Sequence, residues 1–425
     1  MANVEILSKE MIRPSSPTPE HQRNLKLSFL DQVAPPVYVP LIFFYPFDEL
    51  CFDMISHAHI SQLLKQSLSD TLTMFYPLAG HIQENSFIDC NDSGVEFVEA
   101  QVHARLSDVI REPNMAELNK FLAVNPTGLG IATLLAVQIN FFDCGGIAIG
   151  VCLSHKIADG TSLVTFINAW AATCRGEVKI RQPYFDLAHL FPPRDLSGSS
   201  FTPNAGITKE KIMTKRFVFD KEKLAMLKEV AAAAAAAASG DGSQVKNPTR
   251  VEAVSAFIWE KFMEVAKNKT DNKKMYAAVH AVNLRPRTTP PLSEQAFGNC
   301  WRPSFAFIST SGDEKNGCPN VVPVLRSSIS KINSDYIKQV QNGEHLNHLS
   351  KSKDMLMKGD IELCNFSSWS RFPVYEVDYG WGRPCWVCTT TMPFKNVVIL
   401  MSTPCGDGIE AWVNMLEEDI SAFSS

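Results

Sequence analysis

Gly145-Gly-Ile-Ala-Ile-Gly-Val-Cys-Leu153-Ser-His-Lys-Ile-Ala-Asp-Gly160 is the stretch that decides the fold. Its first nine residues are apolar, partly β-branched and of strand length, which suits a strand buried on both faces. Beyond Asp159, Leu163, Phe166, Ile167, Trp170, Ala171 and Cys174 recur at helical spacing, and Gly176 supplies a stop. His155 therefore sits where a buried strand turns into a helix, with one ring nitrogen able to face a cleft. A general base is wanted at such a place. The same residue reads equally well as a hydrogen-bonded, half-buried histidine closing a strand, because His-x-x-x-Asp often arises by chance. Asp159 begins the helix and reads as its N-cap, worth about 1 kcal/mol. None of the other nine histidines has an Asp four residues on.

Outward from this stretch, the chain divides. From Pro183 to about Met213 the sequence is rich in Pro, Ser and Gly with weak periodicity, so 183–213 is read as a crossover between lobes spanning 1–182 and 214–425. Strand-like runs at 37–45, 94–100, 134–140 and 146–153 alternate with helices at 59–75 and 161–175. After the crossover come strands at 215–219, 276–283, 387–390, 397–401 and 408–413, a helix at 250–267 and one long charged helical stretch over 322–357. A further helix starts after Asp220, with Leu224, Leu227 and Val230 on one face, and runs through Ala231–Ala238 into Ser-Gly-Asp-Gly-Ser243. Each half reads as a sheet covered by helices, an α/β arrangement in two lobes.

At 425 residues the chain is too long for one compact core. Hydrophobic content of 45% and charged content of 20% are ordinary for a globular protein. A net charge of −5 argues against a nucleic-acid surface. The eleven cysteines are scattered and odd in number, which fits free thiols in a reducing compartment. Cys385-x-x-Cys388 lacks a second pair or histidines at zinc spacing, and His57-x-His59 and His345-x-x-His348 read as surface histidines, so no metal site is expected. The N-terminus carries charge with no apolar leader, and no apolar run is long enough to cross a bilayer. A cytoplasmic monomer that engages neither membrane nor nucleic acid is the expectation.

Three further stretches complete the pattern. Asp378-Tyr-Gly-Trp-Gly382 sets two glycines around an aromatic, as a tight turn requires. Val282-Asn-Leu-Arg285 ends an apolar strand with a guanidinium able to grip a carboxylate with two bonds. Phe75-Tyr-Pro-Leu-Ala-Gly80 closes a helix with turn residues. With His155 and Asp159, these stretches make the chain resemble the BAHD acyltransferases, the plant family of acyl-CoA-dependent transferases. Pro14–Pro19, Leu27-Ser-Phe-Leu-Asp-Gln32, Phe142–Gly146 and Ser367-Ser-Trp369 extend the likeness almost from end to end. It is nearest the vinorine synthase-like branch, whose members acetylate alcohols on alkaloids and terpenoids.

The resemblance implies two chloramphenicol-acetyltransferase-like lobes, each a mixed sheet covered by helices, with a channel between them and the first lobe completed by about 378–397. It implies His155 as general base midway along the channel, acetyl-CoA as co-substrate with no permanently bound cofactor, and a small hydrophobic alcohol as acceptor. Asp159 and Arg285 become a structural ion pair. Asp378, Gly380, Trp381 and Gly382 become architectural, with a direct role for Asp378 left open. Trp369 is the candidate oxyanion donor, and Ala34, Pro36 and Tyr38 line the acceptor pocket. Two departures stand out: Tyr379 replaces the usual Phe and adds a hydroxyl needing a partner, and His81 replaces an Arg. Other readings are a longer or aromatic acyl donor, an amine acceptor, a non-catalytic binding protein on the same fold, and an unrelated Ser–His–Asp hydrolase. The last lacks a Gly-x-Ser-x-Gly elbow.

Overall fold

The computed structural model describes residues 2–46, 56–127, 133–196, 207–208, 210–238, 247–268, 275–309, 321–344 and 361–424, with backbone alone for 235–238 and 424. The expected loop at Ser239–Ser243, Ser197–Ser200 and Pro203 of the crossover, and His345 and His348 lie outside these residues. Among the described residues the strands run β1 (Asn3–Ile12), β2 (Asn24–Lys26), β3 (Tyr38–Tyr45), β4 (His81–Gln83), β5 (Phe87–Asp89), β6 (Val95–His103), β7 (Leu135–Phe142) and β8 (Ile147–Ser154). They continue as β9 (Ile212–Phe219), β10 (Met275–Asn283), β11 (Trp301–Ser309), β12 (Ile361–Ser368), β13 (Trp386–Cys388), β14 (Val397–Ser402) and β15 (Ile409–Leu416).

Two six-stranded mixed sheets carry the two lobes. The first has the order β1-β6-β7-β8-β3-β13 and the second β11-β10-β12-β14-β15-β9. In the first only β6 and β7 are parallel, while β10–β12 and β12–β14 are parallel in the second. β13 comes from the far end of the chain and pairs Trp386–Cys388 with Phe44–Ile42 of β3. β3, β7 and β8 are buried at every position, as their largely apolar composition suits, and the two polar side chains of β7, Gln138 and Asn140, are satisfied by backbone carbonyls.

Helices His57–Met74 and Gly160–Cys174 pack on each other in the first lobe, joined where the buried Trp170 indole N–H donates to Ser67 Oγ at 3.1 Å. Leu163, Phe166, Ile167, Ala171 and Cys174 are buried with it, and Gly176 follows at φ +73°. In the second lobe the helix Arg250–Lys267 starts in a Thr249/Glu252 capping box and buries Trp259. No helix among the described residues is long and apolar enough to cross a membrane.

The expected single helical stretch over 322–357 is corrected. Helix Val321–Ser330 ends, and Asn333, in an extended conformation, accepts Tyr336 N–H to start a second helix at Ser334–Asn342. An Asn that satisfies an orphan amide as N-cap gains more than one in a helix interior. Gly343 at φ +81° closes that helix, and residues 345–360 are outside the described range. The face expected on the Lys221–Ala238 helix fades along its length, since Leu224 is buried but Val230 is exposed.

Candidate active site

β8 delivers His155. Its ladder with β3 ends at Ser154 opposite Tyr38, and the His155 amide extends it by one bond to Val37 O at 2.8 Å. The ring is half-buried and lies 5.8 Å from the Trp301 ring at 42°. Its Nδ1 is 3.0 Å from Asn299 Oδ1. The partners of Asn299 fix which way its amide points. Nδ2 donates to Asp31 Oδ1 at 3.0 Å and to the His155 carbonyl at 2.7 Å, both groups that can only accept. Oδ1 accepts from Trp301 Nε1 at 3.2 Å, a group that can only donate. An amide oxygen therefore faces His155 Nδ1, which must carry the hydrogen, and Nε2 is left with its lone pair. Burial pushes the imidazole pKa below its ordinary value against opposing hydrogen bonds and the Asp159 charge. The partners thus select the Nδ1–H tautomer, and burial disfavours the charged ring.

Asp159 turns the other way. It caps the Gly160–Cys174 helix by accepting Ser162 N–H at 2.9 Å, and accepts Cys300 N–H at 2.9 Å. Arg285 grips it with two bonds, Nη1 to Oδ2 at 2.7 Å and Nη2 to Oδ1 at 3.2 Å. Arg285 is 1% exposed, and its remaining donors reach the Ala296 and Gly298 carbonyls and Ser162 Oγ. Burial works against the Asp159 carboxylate, but the adjacent guanidinium and backbone amides hold its pKa below the usual range. A buried charge pair with every bond filled is costly to break from one side. Gly160 follows because a Cβ there would meet the Phe372 ring at 2.8 Å.

Lys156 ties this site to the segment that carries Asp31. The buried Lys156 Nζ donates to the carbonyls of Asp31, Gln32 and Ala34 at 2.8, 2.9 and 3.2 Å, and burial lowers its pKa to about 8. This fastens the segment expected to line the acceptor pocket. Within it Ala34 and Tyr38 are buried and Pro36 is half-buried, and the Tyr38 hydroxyl donates to Thr133 O at 2.7 Å. Trp369 is buried beside Gly160, with its indole N–H donating to Ser367 Oγ at 3.0 Å. Ser154 is buried and its Oγ accepts the Lys156 amide at 3.3 Å, while burial pushes the Cys152 thiol far up in pKa.

The Asp378 motif stands at the opposite end of the Gly160–Cys174 helix. The Asp378 carbonyl accepts from Arg175, the residue closing that helix. Fifteen helical residues put roughly 22 Å between the two motifs. Asp378 Oδ1 accepts Gly380 N–H at 2.8 Å and Gly382 N–H at 2.9 Å, with both glycines at positive φ, +114° and +105°. Trp381 stacks on Tyr379 at 5.6 Å. The added Tyr379 hydroxyl is buried without a hydrogen-bond partner. His81 is exposed on the small sheet β2-β5-β4. Cys385 is exposed and Cys388 buried, and all nine described cysteines are free. Among the described residues no three metal-ligating side chains gather.

Sequence reading had not singled out Asn299 or Lys156, nor Asp31 as part of this network. Asn299 sits 144 positions from His155, and nothing local to its sequence announces the contact.

Comparison with known proteins shows what the whole chain is similar to. The model of the Transferase family covers residues 2–425. Stemmadenine O-acetyltransferase of Catharanthus roseus is 45% identical over 99% of this chain and 96% of its own length. Vinorine synthase of Rauvolfia serpentina is 44% identical over 98% and 95%. The crystal structure of vinorine synthase superimposes with a TM-score of 0.83 over 99% of this chain and 96% of that one, at 42% identity. F. graminearum TRI101 complexed with coenzyme A and T-2 mycotoxin shares the fold alone, with a TM-score of 0.72 at 18% identity over 94% of this chain and 96% of its own. The two-lobed mixed α/β fold and relatives matched from end to end lead to one conclusion: this chain belongs to the BAHD transferase family and is an acyltransferase.

Proposed function

We propose that the chain transfers acetyl from acetyl-CoA to a hydroxyl of a bulky hydrophobic plant metabolite, an alkaloid or terpenoid, with His155 as general base. The observation that carries the reading is the bond from His155 Nδ1 to Asn299 Oδ1, which leaves Nε2 with a lone pair. The acceptor hydroxyl gives its proton to Nε2 as its oxygen attacks the thioester carbonyl. The tetrahedral adduct then collapses, the carbon–sulfur bond breaks, and the imidazolium returns its proton to the departing thiolate. The products are an acetate ester and free coenzyme A. A histidine whose ordinary pKa is about 6.5 can accept and return a proton near neutrality. Such base work contributes on the order of 10²–10⁴-fold.

Names of relatives support the donor and the acceptor class. Two acetyltransferases act on stemmadenine and on a limonoid, at 45% and 37% identity. In the acceptor segment, the apolar composition of Val33–Val37 favours a hydrophobic partner. Trp369 takes the oxyanion role only by releasing Ser367 Oγ, and Asp378 holds its turn rather than a reacting atom. A monomer working in the cytoplasm, with a channel between the lobes admitting the two substrates, completes the reading. The free cysteines support the compartment.

The test is coenzyme A release by purified protein with acetyl-CoA against a panel of alkaloid and terpenoid alcohols, joined by rapid quench without acceptor. Acceptor-dependent release with no trapped acyl-protein is expected. A burst of stable acyl-protein, or release only with long or aromatic acyl donors, refutes the reading.

A further inference from the structure

We propose that Asp31 is a positioning residue of this reaction: a carboxylate of one lobe that sets, through Asn299 of the other, which nitrogen of His155 carries the hydrogen. The inference rests on the reading of His155 as the base. The carboxylate divides its work between two oxygens. Oδ2 accepts Ser28 N–H at 3.0 Å and Ser28 O–H at 2.6 Å. Oδ1 accepts Asn299 N–H at 2.8 Å and Asn299 Nδ2–H at 3.0 Å. Four donors converge on two oxygens, so both ends must be acceptors.

A side-chain amide keeps its shape when it turns over, and only its partners decide which way it stands. A reversed Asn299 would set its oxygen against Asp31 Oδ1 and the His155 carbonyl. Its NH₂ would meet the Trp301 indole N–H and His155 Nδ1. Asp31 and Asn299 are 6% and 0% exposed, so water cannot relieve these repulsions. If the reversal did occur, Nδ1 would have to accept, and the ring hydrogen would move to Nε2, the atom that must be bare. Lys156, next to the base in sequence, fixes the backbone bearing Asp31 through that residue's own carbonyl. The lock and the base are thereby mounted on one another.

Asp31→Asn tests this with almost no change of shape. The new NH₂ meets a backbone N–H on whichever side it turns, Ser28 or Asn299, so Asn299 loses the fixed acceptor that holds its amide in one sense. Expected is a fall in kcat of about 10²–10⁴-fold with the acetyl-CoA KM held within about twofold. In ¹⁵N-histidine NMR, His155 should move from the Nδ1–H to the Nε2–H tautomer. Wild-type protein showing the Nε2–H tautomer overturns the proposal without any variant. So does an Asp31→Asn protein that keeps Nδ1–H with kcat unchanged. His155→Ala run in parallel separates the two claims: its unchanged turnover sinks the base assignment, whereas its inactivity alongside a normal Asp31→Asn protein sinks only the positioning role.

Discussion

Replacing Asp159 with alanine should cost stability far more than chemistry. The change strands a guanidinium that is 1% exposed and removes acceptors from Ser162 N and Cys300 N. Breaking a buried pair from one side costs about 3–5 kcal/mol. The helix cap alone is worth about 1 kcal/mol, but the same carboxylate makes both contacts, so the terms overlap rather than add. A total near 4 kcal/mol, on a lobe of ordinary domain size, lowers Tm by roughly 10 °C. The pH dependence gives a second check. Asp159 has a folded pKa below its unfolded one, so its contribution is present above about pH 4 and is lost as pH falls through the folded value. The Tm gap between wild type and Asp159→Ala should therefore narrow on acidification below about pH 4. Scanning calorimetry reads both quantities, and the folded fraction should keep kcat within about tenfold, because Asp159 makes no hydrogen bond to His155. A Tm drop under about 3 °C with kcat reduced more than about 10²-fold would refute this reasoning and put Asp159 in the chemistry.

Burial lowers the His155 pKa, so the acid limb of kcat/KM should lie below about pH 6.5, and a limb above it in a pH–rate profile contradicts the neutral-imidazole assignment. The same shift makes the free imidazole's preference for the folded state fade as pH drops below the unfolded value. Tyr379→Phe removes a buried hydroxyl that lacks a partner and should raise stability by about 1 kcal/mol, whereas a lowered Tm would reveal a partner for it. Lys156→Met leaves the Asp31, Gln32 and Ala34 carbonyls without their donor and should raise the acceptor KM about tenfold while sparing that of acetyl-CoA. Equal rises for both substrates would dissociate this segment from the acceptor.

The central elements were legible because their burial is two-sided or strictly periodic. β8 and the helix after Asp159 showed their type in composition alone, and Arg250–Lys267 is bounded by its capping box and charged end. Three strands of the two large sheets escaped sequence reading. β1 is an edge strand with most residues solvated, so its charged sequence carries no alternation to detect. β11 inverts the usual code, burying Arg302 and Ser304 while Phe307 faces out at 47% exposure. β12 mixes Glu, Asn and Ser with apolar residues and is buried at only two positions. In the site, His155, Asp159 and Arg285 stand in motifs that are weak singly but readable in combination along the chain. Asn299 does not, because an amide's importance lies in what tertiary structure sets around it.

His155 is the proposed base, and its replacement by alanine tests that most directly. Coenzyme A release should be followed with acetyl-CoA and an accepted alcohol, with circular dichroism and Tm confirming the fold. A loss of kcat on the order of 10²–10⁴-fold is expected, with the acetyl-CoA KM little changed. Turnover within about threefold of wild type in a folded protein would contradict it.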